Sequence, residues 1–173
     1  MTSSFFKTLR AGINSTFQDL GRKYLYHIGL PFSGAMDKRN YLISNNLVGN
    51  QNNTAVLEFA FQGPLLKVEN GKINFAITGD VNFRIKKASS NIVDGECYKT
   101  YTLEKNDELD IISTNKSVYG YLSVSGGFKL EKHWNSCSTT VRAGVGANNG
   151  NKISKGDKIN INNIEKKYVS KKL

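Results

Sequence analysis

Three short stretches carry residue types suited to binding and converting a small polar molecule: Gln18-Asp19 with Arg22, Ser33-Gly34 with Asp37, and Ser138-Thr139 with Arg142. A guanidinium pairs with a carboxylate through two parallel hydrogen bonds, which suits Arg22 and Arg142 to an anionic group. Gln18, Ser33, Ser138 and Thr139 offer donors and acceptors that can orient neutral polar atoms. Asp19 or Asp37 can act as a base if it comes within hydrogen-bond reach of a proton. Each assignment has an architectural rival. Asp19, ahead of Leu20-Gly21, suits the cap of a turn, and Asp37, ahead of an apolar helical pattern, suits a helix N-cap. Arg22 is an ordinary surface charge unless it faces a cleft.

Several other chemistries lack their patterns. Ser33-Gly34-Ala35 is not the Gly-x-Ser-x-Gly elbow that exposes a nucleophilic serine. The run Gly144-x-Gly146-x-x-x-Gly150 lacks both the third spacing and the βαβ unit of a dinucleotide site, and tight turns explain its glycines. His27, His133, Cys97 and Cys137 do not stand at ligand spacing, so no metal site is expected. The acidic cluster Glu104, Asp107, Glu108 and Asp110 reads as a solvated turn, because it lacks the ligand spacing of a calcium loop. Trp134 suits a core anchor as well as a substrate wall.

The elements that must position these residues are mostly strands. Short apolar or alternating runs bounded by Gly, Asn, Asp and Ser predict strands over 55–61, 64–69, 73–78, 81–86, 98–103, 109–112 and 118–124. In the last of these, Tyr119, Tyr121 and Ser123 alternate with Gly120, Leu122 and Val124, which predicts one core face and one more polar face. A single helix is expected over 38–48, capped by Asp37 and stopped by Gly49, with Tyr41, Leu42, Ile43, Leu47 and Val48 on a broad apolar face. An internal echo points to a closed β architecture: Leu103-x-x-Asn106-Asp107-x-Leu109-x-Ile111 matches Ile153-x-x-Gly156-Asp157-x-Ile159-x-Ile161. Each half reads as a tight turn feeding a strand, with Asn or Gly at a positive φ and Asp accepting from turn amides.

The chain has 173 residues, enough for one sizeable core, and the β-rich domain is placed at 1–162 with a Lys-rich tail or linker at 163–173. The net charge of +10 is poorly clustered, and the tail holds four lysines against one glutamate. Nucleic acid is therefore not expected as a partner, while a general attraction for anionic substrates is. No apolar run approaches the roughly 20 residues of a membrane span, and residues 1–6 lack the apolar run of a secretory signal. The chain is expected in the cytoplasm with both cysteines reduced.

Five blocks, in order, carry a resemblance. They are Thr16-Phe17-Gln18-Asp19-Leu20-Gly21-Arg22; Leu30-Pro31-Phe32-Ser33-Gly34-Ala35-Met36-Asp37; Leu47-Val48-Gly49-Asn50 with Leu57-Glu58 and Gly63-Pro64; Tyr121-Leu122-Ser123-Val124-Ser125-Gly126-Gly127; and Ser136-Cys137-Ser138-Thr139-Thr140-Val141-Arg142-Ala143-Gly144. Together they resemble the N-terminal half of the C-type component of bacterial 5-oxoprolinase and its biotin-dependent carboxyltransferase (allophanate hydrolase subunit 2-like) relatives. Departures are Cys137 where the family usually has Arg, Asp80 where a small residue is usual, and Ala147 and Asn151 in place of Gly and Arg. Family members are roughly twice this long.

The resemblance implies a cyclophilin-like β-barrel and work with a B-type subunit and, for the oxoprolinase, an A-type subunit. The implied reaction is ATP-dependent opening of 5-oxoproline to glutamate, by a chain that is inactive alone and contributes part of a shared site. ATP would be used by the assembled complex, with no cofactor bound by this chain alone. Such an opening needs an electrophilic ring carbonyl, a delivered water and donors for the developing oxyanion. Asp19, Arg22 and Asp37 are then the catalytic positions, and Gln18, Ser33, Gly34, Ser138, Thr139 and Arg142 the substrate-binding ones. Two alternatives stand beside this reading. One is a carboxyltransferase-like domain acting on urea or a related amide, with biotin carried by another chain because no Met-Lys acceptor pair occurs here. The other is a non-catalytic regulatory or binding remnant of a split or truncated gene.

Overall fold

In a computed structural model that describes residues 4–162, eleven strands and one α-helix are present. The expected tail at 163–173 lies outside the described residues. The strands are β1 (Phe5–Arg10), β2 (Asn14–Gln18), β3 (Val56–Ala60), β4 (Leu65–Asn70), β5 (Ile73–Thr78), β6 (Val81–Lys86), β7 (Ile92–Asp94), β8 (Thr100–Leu103), β9 (Glu108–Thr114), β10 (Tyr119–Val124) and β11 (Lys158–Asn160). The helix, α1, spans Lys38–Leu47. No helix among the described residues is long and apolar enough to cross a membrane.

The fold is mainly β, as expected, but its strands form two antiparallel sheets and not one closed barrel. One sheet runs β11-β1-β4-β9-β6-β7 and the other β2-β3-β10-β5-β8, so each keeps two edges. The core lies where their inner faces meet. Leu66, Val68, Phe83, Ile85, Leu109 and Ile111 come from the first sheet, and Phe17, Leu57, Phe59, Phe75, Ile77, Leu122 and Val124 from the second, all in one buried cluster. Burying an aliphatic or phenyl side chain of this size stabilises the fold by about 1.5–3 kcal/mol. Strand β6 shows the governing period directly: Val81, Phe83 and Ile85 are buried while Asn82, Arg84 and Lys86 are exposed.

The two echoing turns are built alike. Asn106 and Gly156 hold φ of 69° and 96°, and the Asp107 and Asp157 carboxylates accept from the backbone N–H of Glu104 and Ser154 at 2.9 and 2.8 Å. The first turn departs from the expectation of a solvated cluster in one respect. Asp107 is buried and also accepts from Lys87 Nζ at 2.7 Å and the Ala88 N–H at 2.9 Å. Trp134 is neither a core anchor nor a cleft wall; it stands half exposed, at a φ of 50°.

Helix α1 starts as expected, with Asp37 accepting from the Asn40 N–H at 3.1 Å, and ends with Gly49 at a φ of 72°. It lies on the outer face of the five-stranded sheet. Tyr41 packs with Val56 and Tyr121, and Leu47 and Val48 with Ala76. The expected division of β10 holds, with Leu122 and Val124 in the main core and Tyr121 and Ser123 on the more polar face, and the helix buries that face as well: Tyr121 and Ser123 are both fully buried. The helix satisfies them, since Ser123 Oγ donates to the Ser44 carbonyl at 2.6 Å and the Tyr121 hydroxyl accepts from the Asp37 N–H at 2.7 Å.

Candidate functional site

Alternation along β2 turns Phe17 into the core and leaves Asn14, Thr16 and Gln18 on the outer face of the five-stranded sheet. Register sets Thr16 opposite Glu58 on β3, and Glu58 opposite Tyr121 on β10, so the three side chains share that face. Helix α1 covers the part of the face formed by β5 and β10. The part formed by β2 and β3 stays open, and two loops rise around it. One carries Ser33, Gly34 and Met36 and the other carries Thr139 to Ala143, enclosing a cleft of about 750 Å³.

The loops are fixed by backbone hydrogen bonds. The Arg22 N–H donates to the Phe32 carbonyl at 2.8 Å and the Ala35 N–H to the Asp19 carbonyl at 3.0 Å, which closes the first loop. Gly34 sits at a φ of 93°, and a Cβ there would come within 2.9 Å of the Gly21 nitrogen, so the two segments approach only because the residue is glycine. In the second loop the Thr140 N–H donates to the Val145 carbonyl at 2.7 Å around a short 3-10 turn, Val141–Ala143. Gly146 supports that turn at a φ of 108°, where a Cβ would meet the Ser138 carbonyl.

Of the nine site residues expected from sequence, five line the cleft together: Gln18, Ser33, Gly34, Thr139 and Arg142. Asp19, Arg22 and Ser138 lie beneath it, all buried, and Asp37 caps α1. Asp19 is saturated. Its Oδ1 accepts from the Gly21 N–H at 2.8 Å, Ser136 Oγ at 2.7 Å and Ser138 Oγ at 2.6 Å, and its Oδ2 from the Cys137 N–H at 2.6 Å. This carboxylate ties residues 136–138 to the end of β2. Burial, reinforced by the Asp19 charge, pushes the Cys137 thiol up to about 11, so it stays protonated and unreactive at neutral pH.

Arg22 connects the two walls. Its Nη1 donates to Ser33 Oγ at 3.1 Å and to Thr140 Oγ1 at 2.8 Å, its Nη2 donates to the Ser138 carbonyl, and the Ser33 and Thr140 hydroxyls bond each other. Burial pushes the guanidinium below its ordinary value, and the Asp19 charge opposes that shift. Arg142 is the reverse case, since it is exposed, lines the cleft and forms no ion pair among the described residues.

Gln18 is 6% exposed, and its Nε2 donates to Thr16 Oγ1 at 2.9 Å and to the Thr139 carbonyl at 3.0 Å. A carbonyl only accepts, so this bond fixes the amide orientation and leaves Oε1 as the outstanding acceptor. That atom is buried and has no hydrogen-bond partner among the described residues.

Glu58 and Thr140 are site residues that the sequence motifs contain but do not single out. The available signal for Glu58 was a carboxylate inside the otherwise apolar run Val56-Leu57-Glu58-Phe59-Ala60. It is 6% exposed and is the one acidic residue among the described residues lining the cleft. Its Oε2 accepts from the Met36 N–H at 2.8 Å, and the Tyr121 hydroxyl also bonds it. Burial raises this carboxyl above the ordinary carboxylate range, the two hydrogen bonds oppose the rise, and the Asp37 charge adds to it.

Comparison with known proteins places these features in company. Residues 28–172 match the family model described as carboxyltransferase domain, subdomain A and B. The C-type component of Haemophilus influenzae 5-oxoprolinase is 33% identical over 145 residues, covering 84% of this chain and 45% of that protein. Its Escherichia coli counterpart, also a 5-oxoprolinase component of C type, is 29% identical over 157 residues, covering 90% of this chain and 48% of that protein. The urea amidolyase of Lachancea kluyveri is 29% identical over 161 residues, 92% of this chain and 8% of that protein. Among solved structures, the Kluyveromyces lactis urea carboxylase superposes with a TM-score of 0.87 at 26% identity, over 95% of this chain and 14% of that one. The chain thus spans about half the length of the 5-oxoprolinase components it matches and a small part of the urea enzymes.

Proposed function

The chain belongs to the carboxyltransferase domain family, subdomains A and B, and from that footing we propose that it is a subunit of an ATP-dependent 5-oxoprolinase whose cleft holds 5-oxoproline. One observation carries the reading: Gln18, whose buried Oε1 has no hydrogen-bond partner among the described residues, lines a cleft that also carries Arg142, a cation without an ion pair among the described residues. A lactam N–H complements the first and a ring carboxylate the second. The Ser33–Thr140 hydroxyl pair, held by Arg22, spends one proton on its mutual bond and supplies the other as a donor for the carbonyl oxygen. Gly34 contributes the close backbone approach of the loop, and Thr139 fixes the Gln18 amide. In this account Asp19 and Ser138 position the floor, and Asp37 positions α1.

The reading includes a B-type and an A-type subunit as partners, with ATP used by the assembled complex and the site completed by residues outside this chain. A second reading is carboxyl transfer to urea or a related amide, which the likeness to urea amidolyases favours. Urea lacks a carboxylate, so under that reading Arg142 has no anionic group of the acceptor to hold.

The test is glutamate formation from 5-oxoproline and ATP in a mixture of the A-type and B-type proteins, with this chain present or omitted. The proposal expects turnover only when the chain is present. Turnover that is the same without it overturns the proposal, and carboxylation of urea by the mixture with a biotin carrier moves the assignment to the second reading.

A further inference from the structure

We infer that Glu58 is a catalytic residue of this cleft, a general acid that delivers a proton to the departing nitrogen as the amide C–N bond breaks. The inference rests on the cleft being the site of amide opening, as proposed above. Geometry places Glu58 there. It lies directly across the sheet from Thr16, whose hydroxyl accepts from the same Gln18 side chain that presents the free acceptor Oε1. Directly opposed residues have Cβ atoms about 4.5–5.5 Å apart and diagonal neighbours lie about 7–8 Å apart, so an amide nitrogen held by Gln18 falls within reach of the Glu58 carboxyl.

The two aspartates of the region, Asp19 and Asp37, are occupied elsewhere. All four hydrogen bonds to Asp19 come from beneath the cleft, and both Asp37 oxygens are taken by Asn40, at 3.1 Å from its N–H and 2.7 Å from Nδ2. An amide nitrogen leaves poorly as an anion, so the group beside it must be protonated at working pH and able to release that proton. Burial shifts Glu58 in the direction this role needs, toward its neutral form. Tyr121 on β10 and Asp37 at the start of α1 are the groups that act on it from neighbouring elements. Burial, and Glu58 once it ionises, raise the Tyr121 phenol, so it is a donor to the carboxyl and not a competing acid.

The C–N cleavage at Glu58 consumes one water, and the ATP used by the assembled complex enters no bond to this residue. The water oxygen bonds to the carbonyl carbon, the C–N electron pair passes to nitrogen, and the Glu58 proton follows it. The proton released by the attacking water returns to the carboxylate, leaving Glu58 as it began.

The experiment uses the assembled mixture with Glu58→Gln, which keeps an acceptor for the Met36 N–H. The expected result is a kcat lower by about 10²–10⁴-fold, with 5-oxoproline binding by equilibrium dialysis changed by less than about threefold. The wild-type rate should fall as pH rises through the raised Glu58 value, and that alkaline limb should be missing from the residual activity of the variant. Tyr121→Phe removes a donor that favours the charged carboxylate, so it should move the same limb to higher pH. Activity within about threefold of wild type in Glu58→Gln, a retained alkaline limb, or loss of binding in place of turnover overturns the role. A wild-type mixture with no turnover removes the reading of function, and this role with it; wild-type turnover that survives Glu58→Gln removes this role alone.

Discussion

The Arg22 guanidinium donates to the Ser33 and Thr140 hydroxyls at 3.1 and 2.8 Å from a position that is 2% exposed. The cation therefore meets the cleft through those hydroxyls, joining loops more than a hundred residues apart in sequence. Arg22→Ala would remove the charged donor from both hydroxyls and from the Ser138 carbonyl, at an expected cost of about 2–4 kcal/mol in urea unfolding. Arg22→Lys should recover little of it, because an ammonium lacks the planar fork that reaches three acceptors. A loss below about 0.5 kcal/mol, typical of a neutral surface change, would contradict this bridging role.

Asp19 holds residues 136–138 by the same logic. Asp19→Asn keeps one acceptor but turns an NH₂ toward donors, so a loss of about 2–3 kcal/mol is expected. Amide exchange should quicken at Gly21 and Cys137, whose N–H groups donate to the carboxylate. Unchanged exchange at both amides would show that the carboxylate is not what orders this segment.

Two buried carboxyls pull the pH dependence of stability in opposite directions. The folded-state value of Glu58 is raised, so its contribution is full below the ordinary carboxylate value and lost as pH rises through the raised one. Burial acts to raise Asp107 too, but the Lys87 ammonium and the Glu104 and Ala88 N–H groups outweigh it and hold the value low. Its contribution is present above the ordinary value and lost as pH falls through the depressed one. Urea midpoints across pH should show Glu58→Gln removing a decline on the alkaline side of the ordinary carboxylate value, and Asp107→Asn removing a decline on the acid side. Parallel profiles for wild type and Glu58→Gln would contradict the raised value.

Strands β3 to β6 and β8 to β10 were legible because apolar residues recur with the period of a strand between turn residues. Strands β1 and β2 were not. In β2, Ser15, Thr16 and Gln18 are buried polar residues whose partners, such as the Ala11 and Thr139 carbonyls, exist only after folding. No alternation of apolar and polar types marks such a strand. The echoing turns were legible because a positive φ and an Asp acceptor are local requirements. Five cleft residues came from the motif blocks, but whether a guanidinium faces the cleft or supports it depends on contacts across the chain. Arg22 and Arg142 read alike in sequence, and they differ in the fold only because Asp19, Ser138 and Thr140 close over the first.

The central claim, that the cleft binds a carboxylate-bearing amide, is tested most directly by steady-state kinetics of 5-oxoproline in the assembled mixture with Arg142→Ala. Arg142 is exposed and forms no ion pair among the described residues, so stability should stay within about 0.5 kcal/mol of wild type. Loss of one charge-assisted contact should raise KM by about 10–100-fold with kcat little changed. A KM that stays at the wild-type value in a folded, assembled variant would contradict the account.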